Sequence, residues 1–359
     1  MIIVVEDDPF LRLIQVILDP ATPAARTAAF ADFLAHDLPD FAGWLARLRA
    51  RIGSLYPAEV RLVADEADFR KNLAGASVAV VEGFAIGEKE IAAAGGALQA
   101  VQKYGHVTTL IDRAACAAAG VRVLTVRRRA NIATAEHAFA LLLALARKIH
   151  RAAGLISVEQ LRAAGYEPAR FDRAHTANGN WGRIGAMRTL YGTQMGLVGF
   201  GEIGREMAPR AAAFGMRVVY TQRRRLEAAE EARRGAAYAS LDELLAGSDC
   251  VSLHLPGGAA TRGIIGRREL GLLKPGALLI NVSQPQLIDR DALMDALASG
   301  GLGGFALDVP YEEPGRADDP LLGFANVLVT PHLGASPRFN SLDDFVELLG
   351  NLARALGRV

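Results

Sequence analysis

Short apolar runs alternate along the chain with Ala-, Leu- and Arg-rich stretches whose apolar positions recur at helical spacing. In the first third, runs at 2–6, 61–64, 77–81, 97–102 and 121–125 predict strands with helices between them. Residues 20–57 carry Ala, Leu and Arg at helical spacing and predict helical decoration. A long helix is predicted over 132–153, apolar on most faces. The stretch 154–194 is polar, contains Trp181, shows no clear period and predicts a loop. Alternation returns with strands at 195–200, 216–221, 250–255, 277–282, 304–308 and 327–330, and 341–356 predicts an amphipathic helix. Strand–helix alternation on this scale predicts an α/β protein with doubly wound parallel sheets.

One strand–helix junction carries chemistry. The run MGLVGFGEIGREMA spaces Gly199, Gly201 and Gly204 as G-x-G-x-x-G. The first glycine permits a tight turn, the second lets a pyrophosphate approach the backbone, and the third lets helix pack on strand. The helix opening at Glu202 and Ile203 then offers free N–H groups to phosphates. A second strand at 216–221 follows at the spacing of a βαβ unit, the context the motif requires. After that strand an acid ordinarily binds the adenosine ribose. Here Gln222 stands there, followed by Arg223, Arg224 and Arg225. A carboxylate would repel a 2′-phosphate, whereas guanidinium groups pair with it bidentately. The pattern therefore predicts NADP(H) as the preferred cofactor and NAD(H) as the second.

Composition narrows the class. At 359 residues, half of them hydrophobic, the chain accommodates two domains with sizeable cores. A net charge of +1 gives no nucleic-acid or membrane surface. Cys116 and Cys250 stand far apart without metal-ligand spacing, which fits a reducing cytosol and predicts neither a disulfide scaffold nor a metal site. The opening MIIVVEDDPF reads as a strand followed by acids, not as a signal peptide, and LLLALA near Leu141 is too short for a bilayer span. The expected location is cytoplasmic. The start VVEDDPFLRLI is also similar to a response-regulator receiver, but that fold needs a phospho-acceptor Asp near residue 50, and 41–58 offer none. Glu6, Asp7 and Asp8 are expected to be a solvated strand end.

Three further segments complete a pattern: LINVSQPQLIDRDAL from Leu279, GGFALDVPYEEP from Gly303 and VLVTPHLGAS from Val327. With the glycine motif and TAEHAFALLLALAR from Thr134, they resemble the D-isomer-specific 2-hydroxyacid dehydrogenase family, in particular its glyoxylate/hydroxypyruvate reductases. The resemblance runs from about Leu98 to Ser336 and is only topological before that. It implies a flavodoxin-like substrate domain (1–132 plus 336–359) and an inserted Rossmann dinucleotide-binding domain (133–335). It implies a homodimer and hydride transfer to or from a 2-keto/2-hydroxy acid or related carbonyl compound. His332, in TPH, matches the general acid/base, and histidine titrates near working pH. Glu313, in EEP, matches the carboxylate that orients the imidazole, and Asp308 the acid facing the nicotinamide carboxamide. Pro256, Thr261, Val282, Ser283 and Gly334 match positions lining the cofactor, as does His254. Gly105, His106 and Val107 match the loop whose backbone N–H groups hold the substrate carboxylate, although a further glycine is usual near Val107.

One departure bears on activity. Where the family reads N-x-x-R-G, this chain reads Asn281-Val282-Ser283-Gln284-Pro285. The missing arginine grips the substrate carboxylate and polarises the keto oxygen. A charge-assisted hydrogen bond contributes ~1.5–3 kcal/mol against ~1 for a neutral one. Its loss corresponds to roughly ten- to a hundredfold in turnover. Three readings follow: a substrate without a carboxylate there, another arginine such as Arg128 or Arg129 in its place, or a catalytically weak or inactive chain acting as a dinucleotide sensor of corepressor type.

Overall fold

The computed structural model describes residues 1–358. The chain divides into two compact units, Met1–Ala133 with the chain from Ala335 onward, and Thr134–Gly334.

The first unit holds β1 (Ile2–Glu6), β2 (Glu59–Val63), β3 (Val78–Val81), β4 (Ala100–Lys103) and β5 (Arg122–Leu124). These form one parallel sheet in the order β2-β1-β3-β4-β5, the flavodoxin-like arrangement. Every residue of β3 and β4 is buried, as expected of a parallel sheet covered on both faces. The region expected to be helical decoration forms Ala24–Leu34 and Phe41–Arg51, whose Leu34, Phe41, Leu45 and Leu48 enter the core. The returning helix Phe339–Ala355 buries Leu342, Phe345, Leu348, Leu349 and Leu352 in the same core. Glu6 corrects an expectation. Its carboxylate is half-buried, not simply a solvated strand end: it receives the backbone N–H groups of Glu82, Gly83 and Phe84 at 2.7–3.0 Å, tying the end of β1 to the turn after β3.

The second unit holds β6 (Gln194–Val198), β7 (Arg217–Thr221), β8 (Ala236–Tyr238), β9 (Cys250–Leu253), β10 (Leu278–Asn281), β11 (Gly304–Leu307) and β12 (Val327–Val329). All are parallel, in the order β12-β11-β10-β9-β6-β7-β8. The order reverses at the β6/β9 pair, and the carboxyl ends of strands at such a switch point form the ligand crevice of doubly wound sheets. The α/β class with two parallel sheets is thus as the sequence pattern predicts.

Local details differ. β8 is three residues long and pairs with β7 at the sheet edge, too short a run for the sequence pattern to single out. The long helix spans Arg129–Ala146 rather than 132–153. Lys148 turns left-handed (φ 57°) and the short helix Ile149–Ala152 follows. Two carbonyls of the last turn find donors outside the helix. His150 Nδ1 donates to the Ala144 carbonyl (3.0 Å), and the Arg188 N–H donates to that of Ala146 (2.8 Å). Inside the expected loop, Val158–Ala163 is helical behind a capping box of Ser157 and Gln160. Among the described residues no helix is long and apolar enough to cross a membrane, and no group of acids, histidines and cysteines is arranged to hold a metal.

Candidate active site

The glycine loop leaves β6 at the switch point. Gly199 has φ +96°, and a Cβ there would lie 2.4 Å from the His254 carbonyl oxygen. At Gly204 a Cβ would lie 2.4 Å from the Gly199 carbonyl oxygen. The protein's own packing therefore requires both glycines. Gly201 is different: a Cβ there meets nothing within 4 Å. It caps the helix Glu202–Ala213, whose first turn carries Glu202 and Ile203. Packing inside the unit does not explain this glycine. A phosphate drawn close to the backbone at the helix N-terminus does, so the cradle fits a dinucleotide pyrophosphate.

Gly199 donates its N–H to the Thr221 carbonyl (2.9 Å), which sets the residues after β7 beside this cradle. Gln222 folds back, its Nε2 donating to the Arg224 carbonyl (2.6 Å). Arg223 and Arg224 are exposed and make no ion pair among the described residues. Arg225, grouped with them by sequence, is committed elsewhere: its guanidinium pairs with Glu231 through two contacts of 2.9 Å. Arg225, and then the Tyr220 hydroxyl, hold the Glu231 carboxyl below its ordinary range.

The loop after β9 carries His254, Pro256 and Thr261. Thr261 donates its hydroxyl to the Pro256 carbonyl (2.7 Å) and closes the loop. His254 is buried with neither ring nitrogen hydrogen-bonded among the described residues, and burial pulls its pKa down to about 3, leaving a neutral imidazole. Beyond β10, Val282 is buried and Ser283 donates its hydroxyl to the Leu253 carbonyl (2.9 Å). Asn281 Nδ2 donates to the Gln284 carbonyl (3.0 Å), fixing the backbone there. The Gln284 side chain is exposed and lies against Gly257, where a Cβ would come within 2.7 Å of its Cγ.

His332 and Glu313 meet, with Nδ1 of the ring 2.8 Å from Oε1 of the carboxylate. A carboxylate only accepts, so Nδ1 carries the proton and Nε2 is the nitrogen left to exchange one. Both side chains are about half exposed (54% and 47%), and an exposed pair contributes little by itself. Its geometry comes from beneath. His332 sits at φ 57°, a conformation uncommon for a residue with a Cβ, and its N–H donates to the Asp308 carbonyl (2.7 Å).

The Asp308 side chain, 1% exposed, anchors the same loop. Its carboxylate accepts from Thr330 Oγ1 (2.6 Å), the Leu333 N–H (2.8 Å), the Gly334 N–H (2.8 Å) and His137 Nε2 (3.1 Å). Because the single Thr330 hydroxyl proton goes to Asp308, His137 Nε2, 3.0 Å from that hydroxyl, is itself a donor. Burial raises the Asp308 carboxyl, but these donors outweigh it and hold it at about 2, against an ordinary 3.8. Asp308 was expected to face the cofactor; the structure shows its oxygens engaged in holding the His332 loop. His137 and Thr330 carry no sequence signal of this role. His137 lies inside a helix motif and Thr330 before Pro331, and only folding brings them to Asp308.

Gly105, His106 and Val107 lie in the first unit, just past β4. Gly105 has φ +143° and accepts the Val126 N–H (3.0 Å). Nearby, the Arg128 guanidinium stacks 3.9 Å over the Tyr104 ring and pairs with Glu82 (2.6 Å). Arg129 pairs with Asp344 (3.2 Å) and Glu347 (3.0 Å).

Comparison with known proteins bears on this site. A glyoxylate reductase from Thermococcus litoralis is 36% identical over 251 residues, 69% of this chain and 71% of that protein. A D-3-phosphoglycerate dehydrogenase from Mycobacterium tuberculosis is 37% identical over 250 residues, 69% of this chain but only 43% of that protein, so the chain spans less than half of this relative. Among solved structures, a putative D-isomer specific 2-hydroxyacid dehydrogenase from Polaromonas sp. matches with a TM-score of 0.53 at 29% identity, covering 88% of this chain and 93% of that one. A glyoxylate reductase from Paecilomyes thermophila matches with a TM-score of 0.54 at 25% identity, covering 99% and 95%. Residues 139–334 match the family model described as D-isomer specific 2-hydroxyacid dehydrogenase, NAD binding domain. With the nucleotide cradle and the doubly wound sheet in this segment, the chain belongs to the D-isomer specific 2-hydroxyacid dehydrogenase family.

Proposed function

We propose that this protein interconverts a 2-keto acid or related carbonyl compound and its 2-hydroxy counterpart, with NADP(H) preferred over NAD(H). The bound nicotinamide supplies or accepts the hydride. Gly199, Gly201, Gly204 and the N–H groups at Glu202 and Ile203 hold the pyrophosphate, and Gln222, Arg223 and Arg224 face the adenosine ribose. Pro256, Thr261, Val282, Ser283, His332 and Gly334 complete the cofactor lining, with Asp308 beneath them holding the His332 loop. His332 is the acid/base. Its Nε2 gives a proton to the carbonyl oxygen during reduction and takes one from the hydroxyl during oxidation. Glu313 fixes the ring by accepting the Nδ1 proton, which leaves Nε2 for the substrate. Gln284 donates a neutral hydrogen bond to the reacting oxygen or its neighbour, in place of the family's arginine. Backbone donors of Gly105, His106 and Val107 are assigned to the substrate carboxylate, and the first unit is accordingly the substrate domain.

The observation that carries this reading is the 2.8 Å pairing of His332 with Glu313 on a loop fastened through a buried aspartate. Such an arrangement suits proton transfer, and simple dinucleotide binding would need another explanation for it. The test is oxidation of NADPH and NADH at 340 nm over a panel of 2-keto acids and neutral carbonyl compounds. Turnover is expected with NADPH, lost in His332→Ala while cofactor binding persists. Binding of NADPH without oxidation by any compound would overturn the reading in favour of a sensor or an inactivated dehydrogenase, the alternative that Gln284 favours.

A further inference from the structure

The exposed loop that follows β7 is braced at both ends. At its far end the Tyr220 hydroxyl, fully buried, accepts the Leu226 N–H (2.9 Å) and donates to Glu231 Oε1 (2.8 Å). Arg225 completes the bracket, Nε to Oε1 and Nη2 to Oε2 of Glu231, both 2.9 Å, with its guanidinium 5.6 Å above the Tyr238 ring. At the near end Gln222 Nε2 donates to the Arg224 carbonyl (2.6 Å). Arg223 and Arg224 stand between these two fastenings, exposed and outside any ion pair among the described residues. One arginine of the run is thus spent on the scaffold and two are left facing solvent. Gripping an anion with a mobile loop costs backbone and side-chain entropy, and a loop ordered beforehand has already lost much of it.

We infer that the Tyr220–Glu231–Arg225 bracket is a cofactor-selecting device: it holds the loop so that Arg223 and Arg224 meet the 2′-phosphate of an adenine dinucleotide. Tyr220 and Glu231 are positioning residues, since Tyr220 is buried and Glu231 acts through Arg225. The inference rests on the proposed preference for NADP(H).

Titration calorimetry with NADPH and with NADH tests it on four proteins: wild type, Tyr220→Phe, the double variant Glu231→Gln/Arg225→Gln, and the double variant Arg223→Ala/Arg224→Ala. Tyr220→Phe removes a single buried oxygen. The Glu231→Gln/Arg225→Gln pair removes the salt bridge without freeing a cation. Each variant's thermal transition establishes that it is folded, and Tyr220→Phe decides alone if the Glu231→Gln/Arg225→Gln protein does not fold. The expected result for the bracket variants is a Kd for NADPH raised about five- to tenfold, the equivalent of one lost hydrogen bond, with the Kd for NADH within about twofold of wild type. A merely structural bracket would lower the melting temperature and leave the ratio of the two Kd values unchanged. That outcome, with the ratio still reduced by Arg223→Ala/Arg224→Ala, overturns the inference and leaves the cofactor reading standing. An unchanged ratio in Arg223→Ala/Arg224→Ala overturns both.

Discussion

Replacing Asp308 with asparagine tests how the His332 loop is held. Four donors and no acceptor converge on the carboxylate: Thr330 Oγ1, the N–H groups of Leu333 and Gly334, and His137 Nε2. An amide has one oxygen and one NH2, so either orientation sets donor against donor. If the NH2 takes the Oδ2 place, the buried Gly334 N–H is orphaned; otherwise Thr330, Leu333 and His137 lose their acceptor. An orphaned buried donor costs ~1–3 kcal/mol and a lost charge-assisted hydrogen bond ~1.5–3, which together suggest about 3 kcal/mol. The carboxyl's depressed pKa expresses the same four donors in another form. Held at about 2 against an ordinary 3.8, it contributes about 2.5 kcal/mol at neutral pH, at 1.36 kcal/mol per pKa unit. The pKa is depressed in the folded state, so this stability is present above about pH 4 and is lost as pH falls from about 4 towards 2.

Thermal melting of wild type and Asp308→Asn from pH 7 to pH 2.5 is the assay. The variant is expected to melt roughly 6–12 °C lower at pH 7, at about 2–4 °C per kcal/mol for a unit of this size. The gap should narrow below pH 4, where the wild-type carboxyl begins to protonate. Turnover should fall in parallel, because His332 hangs on the released segment. A melting temperature within about 2 °C of wild type at pH 7, with activity intact, would refute the view that Asp308 fastens this loop.

Other substitutions separate packing from ligand binding. Gly201→Ala should weaken NADPH binding at least tenfold in a fluorescence titration with little change in melting temperature, since a Cβ there touches no protein atom. Gly204→Ala should instead lower stability by ~1–3 kcal/mol in denaturant melts, because its Cβ would meet the Gly199 carbonyl oxygen at 2.4 Å. Equal effects of the two on melting would contradict this division of labour. Gln284→Arg should raise kcat/KM on glyoxylate or hydroxypyruvate roughly two- to thirtyfold, by converting a neutral hydrogen bond to a charge-assisted one, a gain of ~0.5–2 kcal/mol. No gain would mean that the pocket is built for a different compound. Gln222→Asp should move the Kd ratio towards NADH, and an unchanged ratio would remove this position from cofactor choice.

The sequence alone determined the repeating features of this protein and the positions where backbone geometry restricts residue type. Alternation of apolar runs with helical spacing announced two parallel sheets, because the strand and helix periods are local properties of the chain. G-x-G-x-x-G announced the turn after β6, because an absent Cβ is legible in the residue itself. Gly199 and Gly204 turned out to be required by the protein's packing and Gly201 by nothing in the unit, a distinction that spacing cannot make. Only the tertiary structure decided what the polar side chains do. Glu6 looked like a solvated acid until the backbone of residues 82–84 closed on it. Arg225 looked like the third member of a phosphate-binding run until Glu231 claimed it. His137 comes to Thr330 across 193 positions of sequence, and with it to Asp308, so no local pattern records the contact. A charged or hydrogen-bonding side chain has several partners open to it in the unfolded chain. Its role is settled when packing removes water and leaves it only the donors and acceptors within reach.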